Sequence, residues 1–104
     1  MANASQTSTQ LGKVSKALKK ELGERFKPVQ ILDLSVEKSV GYDGDDLLLV
    51  RVVFDKEPHK LDAMKLVGNV RHFRPVLEKL GERAFPLFSY FNKEDWDEWR
   101  RESA

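Results

Sequence analysis

Leu11, Val14, Leu18 and Leu22 recur at spacings of three and four, so a helix gathers them into one apolar stripe. Lys13, Lys16, Lys19 and Lys20 fill its other faces, with Glu21 and Glu24 among them. Lys27-Pro28 ends this helix, because a residue before proline is pushed out of helical backbone geometry. Over residues 29–40 the period changes to two. Leu32, Leu34 and Val36 alternate with Asp33, Ser35 and Glu37, the pattern of a half-buried strand. Val29 and Ile31 fall on the opposite parity, which points to a bulge or a strand start there. Residues 41–46 read as a turn, with Asp43-Gly44 its strongest signal. Residues 47–54 are apolar on both parities except at Arg51, which places this second strand centrally. The two strands form an antiparallel hairpin.

Helical spacing returns after Pro58. Leu61, Met64, Val67, Val70 and Phe73 lie near one face, and Val76, Leu77 and Leu80 extend it. Pro75 interrupts, since its ring would clash with the carbonyl four residues earlier. Two helical pieces are expected, at 60–72 and 75–81, closing at Gly81. Residues 85–91 are a third strand, and Pro86 within it calls for a sheet edge. Asn92 then caps a last helix, with Asp95 at its third position and Phe91 and Trp96 forming a hydrophobic staple. Glu94 and Asp95 in its first turn, and Arg100 and Arg101 in its last, complement the helix dipole.

The expected fold is a single small α+β domain, an antiparallel hairpin plus a third strand packed by helices, in the order α-β-β-α(broken)-β-α. Residues 10–104 form the domain. Residues 1–9 are small and polar and are expected to be a disordered tail. From Leu11 to Phe91 this order is similar to that of the bacterial type II KH domain and of ribosome-binding-factor-like proteins. The resemblance implies a hairpin followed by two helices and a third strand, with RNA as the partner. A KH domain clamps nucleotides with a Gly-x-x-Gly loop between its helices. The corresponding stretch here, His72-Phe73-Arg74-Pro75, has no glycine, so the clamp is not carried over.

Composition narrows the function. The chain has no cysteine, which removes disulfides, thiolate metal ligands and a thiol nucleophile. Lysine and arginine number 18 against 17 acids, a balance of +1 that argues against a dedicated nucleic-acid binder. The longest apolar run, Leu47 to Val50, is too short to cross a bilayer, and the first ten residues lack a signal-peptide pattern. A cytoplasmic protein without membrane association is expected.

Candidate chemistry is sparse. Counting from Asp43, the twelfth position of a calcium loop falls on Phe54, where a bidentate acid is required. His59 and His72 lie thirteen apart with no metal-ligand spacing. No Gly-x-Ser-x-Gly elbow or phosphate loop is present. No catalytic residue, cofactor or metal is expected, and the chain reads as a non-enzyme. Two binding surfaces remain. Phe88, Tyr90, Trp96 and Trp99 belong to an aromatic-rich end suited to a protein partner or self-association. Lys16, Lys20, Arg71, Arg74 and Arg83 would serve the alternative, an RNA-binding module with a basic patch around the broken helix. The first reading is favoured.

Overall fold

The computed structural model describes the backbone of residues 2–103 and the side chains of residues 10–103. Within them lie α1 (Ala2–Arg25), β1 (Ile31–Val40), β2 (Asp46–Phe54), α2 (Ala63–Val67), α3 (Asn69–Lys79), β3 (Phe85–Phe91) and α4 (Lys93–Ser103). The sheet runs β1-β2-β3, with β1 and β2 antiparallel and β3 parallel to β2. This is a single α+β domain in the expected element order, with β2 central and β3 at the edge. The tail expected over 1–9 falls on residues whose side chains lie outside the described set.

The helix stripe does what its spacing requires. Val14, Leu18 and Leu22 are fully buried, and Phe26 continues the stripe beyond the helix end. They pack with Leu48, Val50, Val52 and Phe54 of β2 and with Phe73 and Leu77 of α3. Fully burying each of these side chains contributes about 1.5–3 kcal/mol. The main core therefore lies between one sheet face and the pair α1 and α3.

Two local readings shift. In β1, Ile31 pairs with Phe54 and Asp33 with Val53, so two residues of β1 advance against one of β2. That bulge leaves Leu32 without a rung and turns it outward, 42% exposed, while Ile31, Leu34 and Val36 pack on the core. Strict alternation had placed Leu32 inside. The helix break also moves, from Pro75 to Gly68. Asp62 caps α2 by accepting bonds from the amides of Met64 and Lys65, and Gly68 ends α2 and begins α3. A Cβ at Gly68 would stand 3.0 Å from the Met64 carbonyl oxygen and 3.3 Å from Arg25 Nη2. Pro75 lies inside α3 on its exposed side. There the missing donor costs little, because water can serve the Arg71 carbonyl. The stretch 72–75 is thus helix and not a loop.

The ends of α3 and α4 follow their sequence signals. Gly81 adopts φ +81°, its amide bonds Glu78, and the Glu82 amide bonds Leu77, which together close α3. Asn92 Oδ1 accepts from the Asp95 amide at 2.7 Å, and the rings of Phe91 and Trp96 meet at 5.2 Å.

Candidate interaction surface

Because side chains alternate, the face of the sheet opposite the main core carries Leu47, Leu49, Arg51 and Val53 from β2, each paired in register with Phe85, Leu87, Ser89 and Phe91 from β3. α4 folds back over this second face. Trp96 is buried, and Trp99 stacks on it with ring centres 5.1 Å apart. Both indoles also touch Phe91. The Arg51 guanidinium lies 4.6 Å from the Trp99 ring centre and donates to Glu37 Oε1 at 3.0 Å. This cation–π contact explains the one charged residue in β2. A small second core therefore forms at the Val53–Phe91 end.

α4 is only three turns long, and its cover stops there. At the other end of the face Phe85 is 40% and Leu87 42% exposed, beside half-buried Leu47 and Leu49. The outer edge of β3 has no strand partner among the described residues. From Phe85 to Phe91 the strand contains no charged residue. Edge strands are usually guarded by charges, and here only Pro86 serves that purpose. An uncharged edge thus stands beside an open apolar face.

The four aromatic candidates are placed differently from this patch. Trp96 and Trp99 hold α4 to the sheet. Phe88 and Tyr90 lie half-buried on the main-core face, their rings 6.2 Å apart. The residues that open to solvent are their neighbours of opposite parity, Phe85 and Leu87. The signal that separates them is the period of two within 85–91, once the face taken by α1 and α3 is known.

Tyr90 belongs to a polar network that fixes the break between α2 and α3. Its hydroxyl donates to the Leu66 carbonyl at 2.9 Å and accepts from Asn69 Nδ2 at 2.9 Å. Asn69 is fully buried, and its Oδ1 accepts from Arg25 Nε at 2.8 Å. Arg25 Nη2 donates to the Lys65 carbonyl, and Lys65 Nζ returns a bond to the Arg25 carbonyl. These side-chain bonds supplement the backbone bonding of the last carbonyls of α2.

Burial pushes the Tyr90 phenol above its usual 10.0, opposed in part by the Asn69 hydrogen bond and the Arg25 charge. A raised value in the folded state means that the unfolded chain releases this proton first as pH rises. Stability is therefore whole below about pH 10 and declines above it. Denaturant titrations on either side of pH 10 should show this decline, and Tyr90→Phe should flatten it. That variant should also lose about 1–2 kcal/mol at neutral pH, because Asn69 and Leu66 lose their partner. An unchanged slope would remove Tyr90 as its source.

The basic candidates divide into two groups. Arg71 and Arg74 line a groove of about 850 Å³ with Met64, Val67, Val70, Pro75 and Glu78. Arg74 and Arg83 share an adjoining cavity of about 410 Å³ with Glu78 and Glu82. Among the described residues none of these three arginines forms an ion pair. Lys20 lies in a separate groove with Lys19, Lys27 and the start of β1, and Lys16 lines none of these hollows. Arg71 and Arg74 lie along α3 with Arg83 just beyond its end, and the lysines of α1 are not brought to them.

No group of histidine and acidic side chains among the described residues could hold a metal ion. His59 pairs with Glu57 on the surface, and the His72 ring rests edge-on against Phe73. No described helix is long and apolar enough to cross a membrane. No family model, curated protein or solved structure matches the chain.

Proposed function

We propose that the chain is a non-catalytic protein-interaction module that associates through β3 and the half of the second sheet face that α4 leaves open. One observation carries this reading. An uncharged edge strand and an exposed apolar row, Phe85 and Leu87, stand together in a protein whose residues are 34% charged. Such edges template pairing with another chain, and main-chain hydrogen bonds supply affinity when a strand is added. The tryptophans border the surface by anchoring α4 on the same sheet face, so their truncation would weaken association indirectly. Leu87→Lys puts a charge on the open face without disturbing either core. It should change folding stability by no more than about 0.5 kcal/mol, as an exposed substitution does. It should also lower association at least tenfold, measured by sedimentation and by affinity capture from the protein's own source cells. A protein that neither self-associates nor captures anything in a Leu87-dependent way would sink the proposal.

The arginine groove favours a second reading, in which a single-stranded RNA lays phosphates on Arg71 and Arg74 and bases on Met64, Val67 and Val70. Its support is the unpaired charge beside apolar surface in one hollow. Binding of mixed-sequence RNA at low salt should then weaken with a log–log slope of about −1.4, from two neutralised phosphates. Arg71→Glu with Arg74→Glu should abolish it. The absence of any binding at low salt would discard this reading.

A further inference from the structure

We infer that the partner of β3 is a second copy of this chain, joined edge to edge by antiparallel pairing of the two β3 strands about a two-fold axis. This rests on the interaction reading above and names its occupant. A two-fold contact must be self-complementary, each residue meeting its counterpart's opposite number. β3 satisfies that demand, and Pro86 selects the register.

Arg83 precedes the strand, and Glu94 and Asp95 stand in the first turn of the helix that follows it. Antiparallel pairing sets the basic beginning of one copy beside the acidic end of the other. If the axis passed through Phe88, Pro86 would fall opposite Tyr90 of the second copy, inside the paired stretch, where it cannot donate. If it passes through Ser89, Leu87 lies opposite Phe91 of the second copy. Pro86, which cannot donate, then falls opposite Asn92, outside the paired stretch 87–91. Its missing donor costs no rung.

The same axis resolves the uncovered face. It runs perpendicular to the sheet, so both copies present their second face on the same side of a six-stranded sheet. The open end of each face, at Phe85 and Leu87, then adjoins the covered end of the other, where Phe91 and Trp96 meet. Each copy supplies the apolar neighbour that the other lacks. Arg74, whose guanidinium lies 5.5 Å from the Phe85 ring centre, adds positive charge at the end that meets the acidic turn.

Sedimentation velocity on the full chain should show a monomer–dimer equilibrium across micromolar concentrations. Arg83→Asp alone and Asp95→Arg alone should each weaken dimerisation about tenfold, since a two-fold dimer brings the basic and acidic ends together twice. The double exchange should restore it, while circular dichroism melts verify that all variants fold. Wild-type protein that stays monomeric, or a double exchange that fails to restore association, would overturn the second-copy assignment. A monomer that still captures another protein through Leu87 would leave the interaction reading standing. A monomer that captures nothing would end both.

Discussion

Phe54→Ala should cost about 3–5 kcal/mol of folding stability, the range for removing a fully buried aromatic side chain. Phe54 ends β2, has no exposed surface, and meets Phe26 edge-on at 5.2 Å and Tyr90 at 6.1 Å. It thereby joins the residue that ends the α1 stripe to the strand that follows α3. The cavity left by its removal faces the rings of Phe26 and Tyr90, held on separate segments of the chain, which limits collapse. Phe54→Leu retains most of the volume and should cost less than half as much. Urea titrations of both variants provide the test. A loss below about 1 kcal/mol for the alanine variant would mean that the site closes on itself.

The backbone frame was legible because each part of it depends on near neighbours. Four apolar residues at helical spacing specified the buried side of α1. A string apolar on both parities specified a central β2, since only a strand covered on both faces tolerates such a pattern. Asn92, Asp95, Phe91 and Trp96 specified the start of α4 through contacts spanning a few residues. The errors arose where two local signals competed. Pro75 is the stronger helix breaker in isolation, yet its exposed position in α3 made it tolerable, and the break went to Gly68. There Arg25, forty residues before Lys65, donates to the Lys65 carbonyl at the end of α2. A contact of that separation leaves no local mark.

The surface was less legible than the frame for the same reason. Aromatic density between 85 and 99 was plain in the sequence, but its division into inner and outer rings depends on which face α1 and α3 occupy. That face is decided by the parallel crossover from β2 to β3, which no short segment encodes. Once it is fixed, Tyr90 turns inward to Asn69 and Leu66, and Leu87 turns outward. The basic residues illustrate the same limit. Arg71 and Arg74 sit three apart on one helix and necessarily share a flank, whereas Lys16 and Lys20 needed tertiary packing to reach them and did not receive it.

Lys38→Met should cost about 3 kcal/mol, although it replaces a lysine by a residue suited to an apolar neighbourhood. Lys38 shares the core face of β1 with Leu34 and Val36, and its Nζ reaches Glu82 Oε2 at 2.7 Å. Glu82 is only 3% exposed. Its Oε2 also accepts from the Ala84 amide, while Oε1 has no partner among the described residues. Removing the ammonium leaves a buried carboxylate with one neutral donor, and an uncompensated buried charge dominates the cost. The figure is at the low end of the usual range because Lys38 is 40% exposed, so water can reach the space it leaves. The decisive comparison adds Glu82→Gln to Lys38→Met. The amide removes the charge and keeps an acceptor for Ala84, so the double variant should be more stable than Lys38→Met alone. Additive losses in a urea-based double-mutant cycle would instead mean that Lys38 contributes by packing its stem along the sheet. The pair matters to the interaction surface as well, because Glu82 and Ala84 set the turn from which Arg83 and β3 emerge. Lys38→Met should therefore loosen the β3 edge before it unfolds the core, with faster amide exchange at 83–87 than at 48–54.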